Sequence, residues 1–393
     1  MQALRGQDGK ARTFLFSAIR QIADNEIDSP MQKTINQIMA NNKTLSNAKK
    51  ARKDEFYTQL SDIENELMHY KEHFRNKVVF CNCDDPRISN FFHYFSYNFE
   101  QLGLKKLITT CYKSQERDLF SQNNSERAIW LEYKGDKNGN RVPDPEEIGI
   151  NYLKGDGDFR SQECIELLKQ ADIVVTNPPF SLFREYVAQL MKYNKKFVII
   201  GNQNAITYKE IFSYIKANQL WLGSTLSFAK FKVPDYYEPK PTRFWIDETG
   251  QKWRSMGNIC WFTNLDIAKR HEEIILYKSY NEEEYPQYDN YQAINVNKVA
   301  DIPMDYDGVM GVPITFLDKY NPDQFEIVGL DRYVEDNPKY GHRFTISGKE
   351  TYARILIRRR QRNGSNVETD INSNIPIAAE PQEEYGKEGN NRP

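Results

Sequence analysis

Short apolar runs alternate with amphipathic segments between residues 77 and 226. The runs KVVFC, KKLITT, DIVVT and KKFVII are rich in β-branched and aromatic residues, and segments such as ECIELLKQA and SLFREYVAQLMKYN carry apolar residues at helical spacing. Such runs predict buried strands, and the spacing predicts helices that pack on them. Strands that alternate with helices pair in parallel through right-handed crossovers, so the pattern predicts an α/β fold with a doubly wound sheet.

The same pattern divides the rest of the chain. Residues 1–75 have apolar residues at helical spacing and are predicted to form a helical N-terminal region, whereas the strand–helix alternation fills residues 76–224. Within the alternation, the turn sequence DKNGN predicts a β-hairpin insertion at about 125–149. Residues 225–362 are aromatic, basic and rich in turns, which favours strands joined by long loops. Residues 363–393 contain few hydrophobic residues and are predicted to be disordered.

Composition and charge narrow the class of protein. The 393 residues are 39% hydrophobic and 27% charged, values typical of a globular protein. The formal net charge is only −2, so any contact with nucleic acid must come from local basic patches. Five irregularly spaced cysteines favour a reducing cytoplasm over a disulfide framework. The sequence shows no signal peptide and no apolar run of about 20 residues, so we expect a cytoplasmic protein without a membrane partner.

The stretch DIVVTNPPF ends a predicted strand with an amide, two prolines and an aromatic ring. The side-chain carbonyl of Asn177 and the backbone carbonyl of Pro178 can accept the two N–H bonds of a planar amine, such as the N6 amine of adenine. Two such acceptors localise the lone pair of the nitrogen and make it a better nucleophile. Pro178 and Pro179 each fix φ near about −65°, so the loop keeps its carbonyl direction at little entropic cost.

The same loop also indicates which substrate and which electrophile the site would use. Phe180 offers a flat surface on which a base can stack, a contact worth about 1–3 kcal/mol. The sequence resembles neither a phosphate-binding loop nor a hydride-cofactor site, so the expected electrophile is the methyl group of a sulfonium. An adenine inside a duplex cannot reach such a loop and must flip out, at a cost of a few kcal/mol.

An Asn-initiated turn without chemistry is the alternative interpretation of this loop. Its position favours function, because α/β sheets bind ligands at the carboxyl ends of their strands. No metal site is predicted. His69 and His73 share a predicted helix face, but no second pair of ligands completes a zinc site.

Several linked stretches resemble one enzyme family. They are KDEFYTQLSDIENEL, CNCDDPRISNFFHYF, LGLKKLITTCYK, GDGDF, DIVVTNPPFSLF, KKFVIIGNQNAITYKEIF and MGNICWFTNLD. Over roughly residues 44–345, the sequence resembles the N6-adenine-specific DNA methyltransferases, most closely the EcoRI modification methylase family. The resemblance implies a Rossmann-like, class I S-adenosylmethionine methyltransferase domain with an added DNA target-recognition region.

The resemblance also implies the residues of the site. The catalytic motif is matched by Asn177, Pro178, Pro179 and Phe180. The implied cofactor contacts are Phe56, Tyr57 and Thr58 at the methionine end, Asp84 and Asp85 at the ammonium, and Asp158 and Phe159 at the adenine. The sequence departs from the family pattern twice: CDDPRIS replaces the glycine-rich turn after the first strand, and the second strand lacks the acidic residue that holds the ribose. We therefore take Asp156 as the candidate for the ribose.

Basic residues near aromatic ones are the candidates for contact with DNA. Three tryptophans between residues 245 and 261 lie among lysines and arginines, and the stretch NNKTLSNAKKARK contains no acidic residue. Cations in such places bind phosphates. The alternatives are core aromatics with solvated lysines in the first region and a solvated linker in the second. The candidate residues are Lys49, Lys50, Lys230, Arg243 and Arg254.

These patterns predict a site-specific methyltransferase that acts on the N6 amine of a flipped adenine in double-stranded DNA and uses S-adenosylmethionine. The family association suggests a role in restriction–modification or a related defence, with a restriction endonuclease as functional partner. Two alternatives stay open at this point. One is methylation of another planar amine, a guanine N2 in RNA or a glutamine in protein; the other is a non-catalytic DNA-binding relative.

Overall fold

The computed structural model describes residues 58–83, 89–110, 128–139, 143, 147–226, 230–233, 237, 239, 241–334 and 341–360. The α-helices of this part are α1 (Leu60–Leu67), α2 (Lys71–Phe74), α3 (Asn90–Tyr97), α4 (Phe99–Leu102), α5 (Gln162–Gln170), α6 (Phe183–Lys192) and α7 (Lys209–Lys216). Short 3₁₀ turns lie at Met68–Tyr70, Phe180–Leu182, Gln203–Thr207, Ala268–His271, Val299–Asp301 and Ile314–Lys319.

The strands of this part form several sheets. Those of the first half are β1 (Val78–Cys81), β2 (Lys106–Thr110), β3 (Ile129–Tyr133), β4 (Gly149–Tyr152), β5 (Ile173–Thr176), β6 (Lys196–Asn202) and β7 (Trp221–Leu226). Those that follow are β8 (Lys230–Lys232), β9 (Phe244–Ile246), β10 (Lys252–Ser255), β11 (Ile259–Thr263), β12 (Gln287–Tyr288), β13 (Tyr291–Asn295), β14 (Met310–Pro313), β15 (Phe325–Leu330), β16 (Thr345–Ile346), β17 (Lys349–Glu350) and β18 (Arg354–Arg359).

An eight-stranded sheet with the order β4-β3-β2-β1-β5-β6-β11-β7 forms the centre of the fold. Its four middle strands are parallel, as the apolar runs predict. Strands β3 and β11 are each antiparallel to both of their neighbours, so the other six strands run in one direction. The protein is therefore a mixed α/β fold with a mostly parallel central sheet.

The middle strands are buried on both faces, and helices cover each face. Along β1, Val78 and Phe80 pack with apolar residues of α5, α6 and α7. Val79 and Cys81, which alternate with them, pack with apolar residues of α1, α3 and α4. Alternation of this kind follows from the two-residue period of a strand. Helices on both faces of a mostly parallel sheet agree with the α/β fold that the sequence predicts.

Local signals set the helix ends. Ser161 caps α5 by accepting a hydrogen bond from the Cys164 amide at 3.3 Å. Gly103 ends α4 with φ at 61°, a left-handed conformation that glycine adopts without strain. After Gly103 the chain returns to the sheet, where β2 begins.

Residues beyond β7 form further β structure. Strands β8, β10 and β9 make a small antiparallel sheet, which we name the three-stranded sheet. The chain then returns to the central sheet as β11, where Trp261 is fully buried, so the central sheet includes a strand beyond residue 224. A five-stranded sheet of order β12-β13-β14-β18-β15 follows. Near the predicted hairpin insertion, β3 and β4 pair antiparallel.

Two expectations concern parts of the chain beyond the described residues. The disordered tail at 363–393 is one, and most of the helical region at 1–75 is the other, although α1 and α2 at its end are helical. Among the described helices, none combines the length and the apolar character needed to cross a bilayer.

Candidate active site

The order of the middle strands creates a switch point between the carboxyl ends of β1 and β5, and we name this place the crevice. From β1 the chain moves to β2 on one side, whereas β5 and β6 lie on the other side. Ligands of open α/β sheets bind at such a switch point, outside the carboxyl ends of the strands. The residues that follow β1 and β5 at this edge are Asn82 and Asn177.

Asn82 and its neighbours join the two strand ends. The Thr176 hydroxyl donates a hydrogen bond to the backbone carbonyl of Asn82, and the Tyr186 hydroxyl donates to the Asn82 side-chain oxygen. Asn82 is 5% exposed and Tyr186 is buried in α6. These contacts hold the end of β1 against the end of β5 and against α6.

The Asn-Pro-Pro-Phe loop lies directly at this edge. Asn177 is 7% exposed, Pro178 is buried, and Pro179 and Phe180 are half-buried. The Leu182 amide donates to the Pro179 carbonyl at 2.9 Å, which starts the turn that leads into α6. Phe180 packs against the core on the face of α1 and α3. The loop is therefore held on both sides, by a strand before it and a helix after it.

Thr58 contacts the amide of this loop. Asn177 Nδ2 donates to Thr58 Oγ1 at 3.4 Å, and both residues are buried. Asn90, the first residue of α3, donates from Nδ2 to the Thr58 carbonyl at 2.7 Å. The segment predicted to contact a cofactor thus ends against the candidate catalytic loop.

The GDGDF loop lies between β4 and α5. Glu163 accepts from the amides of Lys154 at 3.0 Å and Gly155 at 2.8 Å, which fastens the loop to the first turn of α5. These bonds hold the pKa of the Glu163 carboxyl below its usual range. The half-buried Asp156 accepts from the Asp158 amide at 3.0 Å. The loop is a fixed turn that presents its carboxylates at the sheet edge.

Asp158 forms an ion pair with Arg160, with 2.7 Å between Oδ2 and Nη2. Burial raises the pKa of Asp158, but hydrogen bonds from the Arg160 side chain and amide outweigh burial and leave the pKa lowered. The carboxylate therefore stays ionised at neutral pH and can only accept hydrogen bonds.

Phe159 lies in the core rather than on the surface. It is 6% exposed, and its ring meets the Tyr186 ring edge-on at 5.0 Å between centroids. The Gln189 side chain donates to the Phe159 carbonyl at 2.9 Å. The residue therefore anchors the GDGDF loop on α6 and places the neighbouring Asp158 at the rim of the crevice.

Sequence reasoning missed Asn82 and Tyr186. Asn82 follows a buried strand directly, as Asn177 does. This shared position in the sequence could have identified Asn82 as a candidate. No pattern in the sequence singles out Tyr186, because a tyrosine on the apolar face of a helix is usually an ordinary core residue. Burial raises the pKa of Tyr186 well above its usual value, so its hydroxyl is a donor at any physiological pH.

The three-stranded sheet projects from the same edge. It is inserted between β7 and β11, and Ile259 at the start of β11 pairs with Asn202 at the carboxyl end of β6. Its strands carry the parallel, stacked rings of Trp245 and Trp253, 6.2 Å apart. Lys232 lies 5.6 Å from the centre of the Trp253 ring. An aromatic and cationic surface is thus attached at the same end of the central sheet as the candidate catalytic loop.

The predicted DNA-contacting residues of this sheet differ in their surroundings. Lys230 and Arg243 are exposed. Arg254 is half-buried, and its Nη1 donates to the Thr242 carbonyl at 2.6 Å, so it shapes the turn before β9. The charge of Arg254 is less accessible than that of the other two.

A sequence profile described as adenine-specific methyltransferase EcoRI matches residues 44–361. The chain belongs to this EcoRI methylase family. The match takes in β1 to β18, and so it includes the Asn-Pro-Pro-Phe loop, the GDGDF loop and the three-stranded sheet.

Individual members of the family are similar to this chain over most of their length. The Type II methyltransferase M.EcoRI of Escherichia coli is 52% identical over 326 residues, which cover 82% of this chain and 98% of that protein. The Type II methyltransferase M.MgeORF184P of Mycoplasma genitalium is 41% identical over 80% of this chain and 98% of that protein. The Type II methyltransferase M.MpnI of Mycoplasma pneumoniae is 38% identical over 80% of this chain and 97% of that protein. No solved structure matches the chain significantly.

The structure brings part of the predicted site together. Thr58 contacts the candidate catalytic loop, and the GDGDF loop is linked to the same crevice through Phe159 and Tyr186. The remaining predicted residues lie outside the described part of the chain and stay predictions: Phe56, Tyr57, Asp84, Asp85, Lys49 and Lys50.

Proposed function

We propose that this member of the EcoRI methylase family transfers a methyl group from S-adenosylmethionine to the N6 amine of an adenine flipped out of duplex DNA. One observation carries the proposal: a buried Asn177, followed by two prolines and Phe180, lies at the carboxyl end of β5 beside the switch point of the sheet. The fold is then a Rossmann-like methyltransferase fold of class I. Family membership supports the choice of DNA adenine over an RNA guanine, a protein glutamine or a non-catalytic role.

The residues at the crevice offer carboxylates for the adenine and the ribose of S-adenosylmethionine. Asp158 is ionised and can accept from the adenine amine, and in this proposal Asp156, two residues earlier, accepts from the ribose hydroxyls. Gly157 between them has φ at 79°, which lets the loop turn sharply at this point. When bound, S-adenosylmethionine supplies an electrophilic methyl group on its sulfonium.

The chain's own part in the reaction is orientation. Asn177 Oδ1 and the Pro178 carbonyl accept the two N–H bonds of the adenine amine, which localises the lone pair on the nitrogen. The nitrogen would carry a positive charge once methylated and would release one proton to water, so no strong base is required. Positioning and fixed dipoles supply the rate enhancement, which suits a loop held rigid by prolines.

Phe180 and the three-stranded sheet bind the DNA substrate. The Phe180 ring stacks on the flipped base, a contact worth about 1–3 kcal/mol, which offsets part of the cost of flipping. Lys230 and Arg243 bind phosphates near the flipped nucleotide, whereas Arg254 supports the turn that carries Arg243. Since the relatives are named Type II methyltransferases, we propose a role in restriction–modification beside an endonuclease that cuts the same sequence.

An assay with purified protein tests the proposal. The protein is incubated with labelled S-adenosylmethionine and with duplex DNA, RNA or a protein extract, and the labelled product is identified by mass spectrometry. We expect N6-methyladenine in duplex DNA only. The Asn177→Ala variant should bind duplex DNA normally yet transfer methyl groups at least about 100-fold more slowly, because one acceptor is lost. Label in RNA or protein, or full activity of Asn177→Ala, would contradict the proposal.

A further inference from the structure

Thr58 is placed to control the orientation of the catalytic amide. It lies two residues before α1, is 2% exposed, and its hydroxyl oxygen is 3.4 Å from Asn177 Nδ2. The bond from Asn90 to the Thr58 carbonyl, at 2.7 Å, fixes the backbone from the other side. Helices α1 and α3 thus hold this hydroxyl against the loop that follows β5.

The orientation of the Asn177 amide matters because its two ends have opposite hydrogen-bonding character. Oδ1 accepts hydrogen bonds, whereas Nδ2 donates them. The proposed reaction needs Oδ1 toward the adenine amine. After a half-turn of the amide, Nδ2 would face that amine, and two sets of N–H bonds would oppose each other. A partner that accepts from Nδ2 therefore selects the productive orientation.

We propose that Thr58 is a positioning residue whose hydroxyl accepts from Asn177 Nδ2 and so directs Oδ1 toward the adenine amine; this inference rests on the proposed function. The hydroxyl of the neighbouring Thr176 lies against the Asn82 carbonyl instead. The Thr58 hydroxyl has one proton and two lone pairs, so in this role its proton is directed to a different acceptor.

The role differs from the cofactor contact that the family resemblance implies for Thr58. A cofactor contact acts on the affinity for S-adenosylmethionine. A positioning residue acts on the methyl-transfer step after cofactor and DNA are bound, because only then does Oδ1 meet the amine. Affinity and rate at saturation therefore separate the two roles.

The test compares Thr58→Val, Thr58→Ala and Thr58→Ser in single-turnover methyl transfer to duplex DNA at saturating cofactor. Valine keeps the shape of threonine without the acceptor, alanine removes the acceptor with less volume, and serine keeps it. We expect valine and alanine to slow transfer by about 10- to 100-fold, while the dissociation constants for cofactor and DNA change less than about threefold. Serine should restore most of the rate.

Thr351→Val is the matched control. The Thr351 hydroxyl donates to the Phe344 carbonyl at 3.1 Å, away from the crevice, so its loss should leave the transfer rate unchanged. Wild-type rates for Thr58→Val and Thr58→Ala would overturn the inference. So would a loss of cofactor affinity with an unchanged rate at saturation. Transfer to adenine by the wild-type protein, measured in the same assay, tests the proposed function separately.

Discussion

Arg243 combines a charged side chain with a backbone conformation that favours glycine. Its φ is 57°, in the left-handed region, which costs an L-residue about 1–2 kcal/mol. Strained residues of this kind cluster at functional sites. Its guanidinium lies beside Gly257, where an added Cβ would be 3.2 Å from Nη1. Since Gly257 shortly precedes β11, the positive charge is held near the edge that carries Asn177.

Substitution of Arg243 by glycine tests whether that charge binds DNA. Glycine relieves the backbone strain, so the variant should be at least as stable as the wild type. Duplex DNA should bind several-fold more weakly, and the slope of log Kd against log salt should fall by about one, as for loss of one phosphate contact. Arg75→Gln, at the opposite edge of the sheet before β1, is the control and should keep the wild-type slope. An unchanged slope for Arg243→Gly would exclude the phosphate contact.

Asp331 introduces a pH dependence of stability. It is fully buried, and burial raises its pKa to about 6, despite hydrogen bonds and positive charges that lower it. The unfolded chain loses this proton near pH 4, at about its reference pKa. Between about pH 4 and 6 the folded state binds more protons, so the free energy of unfolding falls as the pH rises.

The Asp331→Asn variant should lack this dependence. Asparagine cannot ionise, and its side-chain oxygen still accepts from the Arg332 amide, as Asp331 does at 2.9 Å. We expect the Tm of the variant to exceed that of the wild type by more at pH 7 than at pH 5. Thermal unfolding followed by circular dichroism at the two pH values measures the difference. An equal difference in Tm between the two proteins at pH 5 and at pH 7 would show that Asp331 does not titrate in this range.

At the scale of elements, a buried carboxylate joins α1 to β7. Glu66 is fully buried and accepts from the Ser224 amide at 2.8 Å, the Thr225 amide at 2.7 Å and the Tyr70 hydroxyl at 2.6 Å. Helix α1 follows Thr58, and β7 leads to the three-stranded sheet. Glu66 therefore connects the element beside the candidate catalytic loop with the strand that leads to the candidate DNA surface.

This junction leaves no room for a side chain at Gly223. A Cβ there would lie 2.3 Å from Glu66 Oε1 and 2.6 Å from Trp261 Cβ. Gly223→Ala should therefore lower the free energy of unfolding by about 1–3 kcal/mol, the usual cost of overpacking a core. Gly149→Ala in β4, where the nearest atom is 3.7 Å from the new Cβ, should cost little. Equal free energies of unfolding for the two variants in urea denaturation would show that Glu66 and Trp261 move aside to make room for the added methyl group.

The sequence predicts some elements of the sheet better than others. Strands β1, β2, β5 and β6 are buried on both faces, so each is a continuous apolar run with a recognisable helix beside it. The antiparallel placement of β11 between β6 and β7 depends on long-range pairing, for which no local pattern exists. The pairing of β3 with β2 escaped sequence analysis for the same reason.

At the scale of the whole molecule, net charge conceals the arrangement of charge. The chain carries a net charge of only −2, yet a basic and aromatic sheet lies at the edge of the crevice. Sequence analysis singled out the candidate catalytic loop because its four residues are contiguous and follow a strand. It did not find the contacts of Asn177 with Thr58, or of Tyr186 with Asn82, because 119 and 104 residues separate those partners along the chain.

The most direct test of the account is base-resolution sequencing of modified adenines in DNA from cells that express the protein. Wild-type protein should place N6-methyladenine at one recurring sequence motif, and Asn177→Ala, expressed at the same level, should leave that motif unmodified. DNA without methylated adenine in wild-type cells, or a mark that persists with Asn177→Ala, would contradict the account.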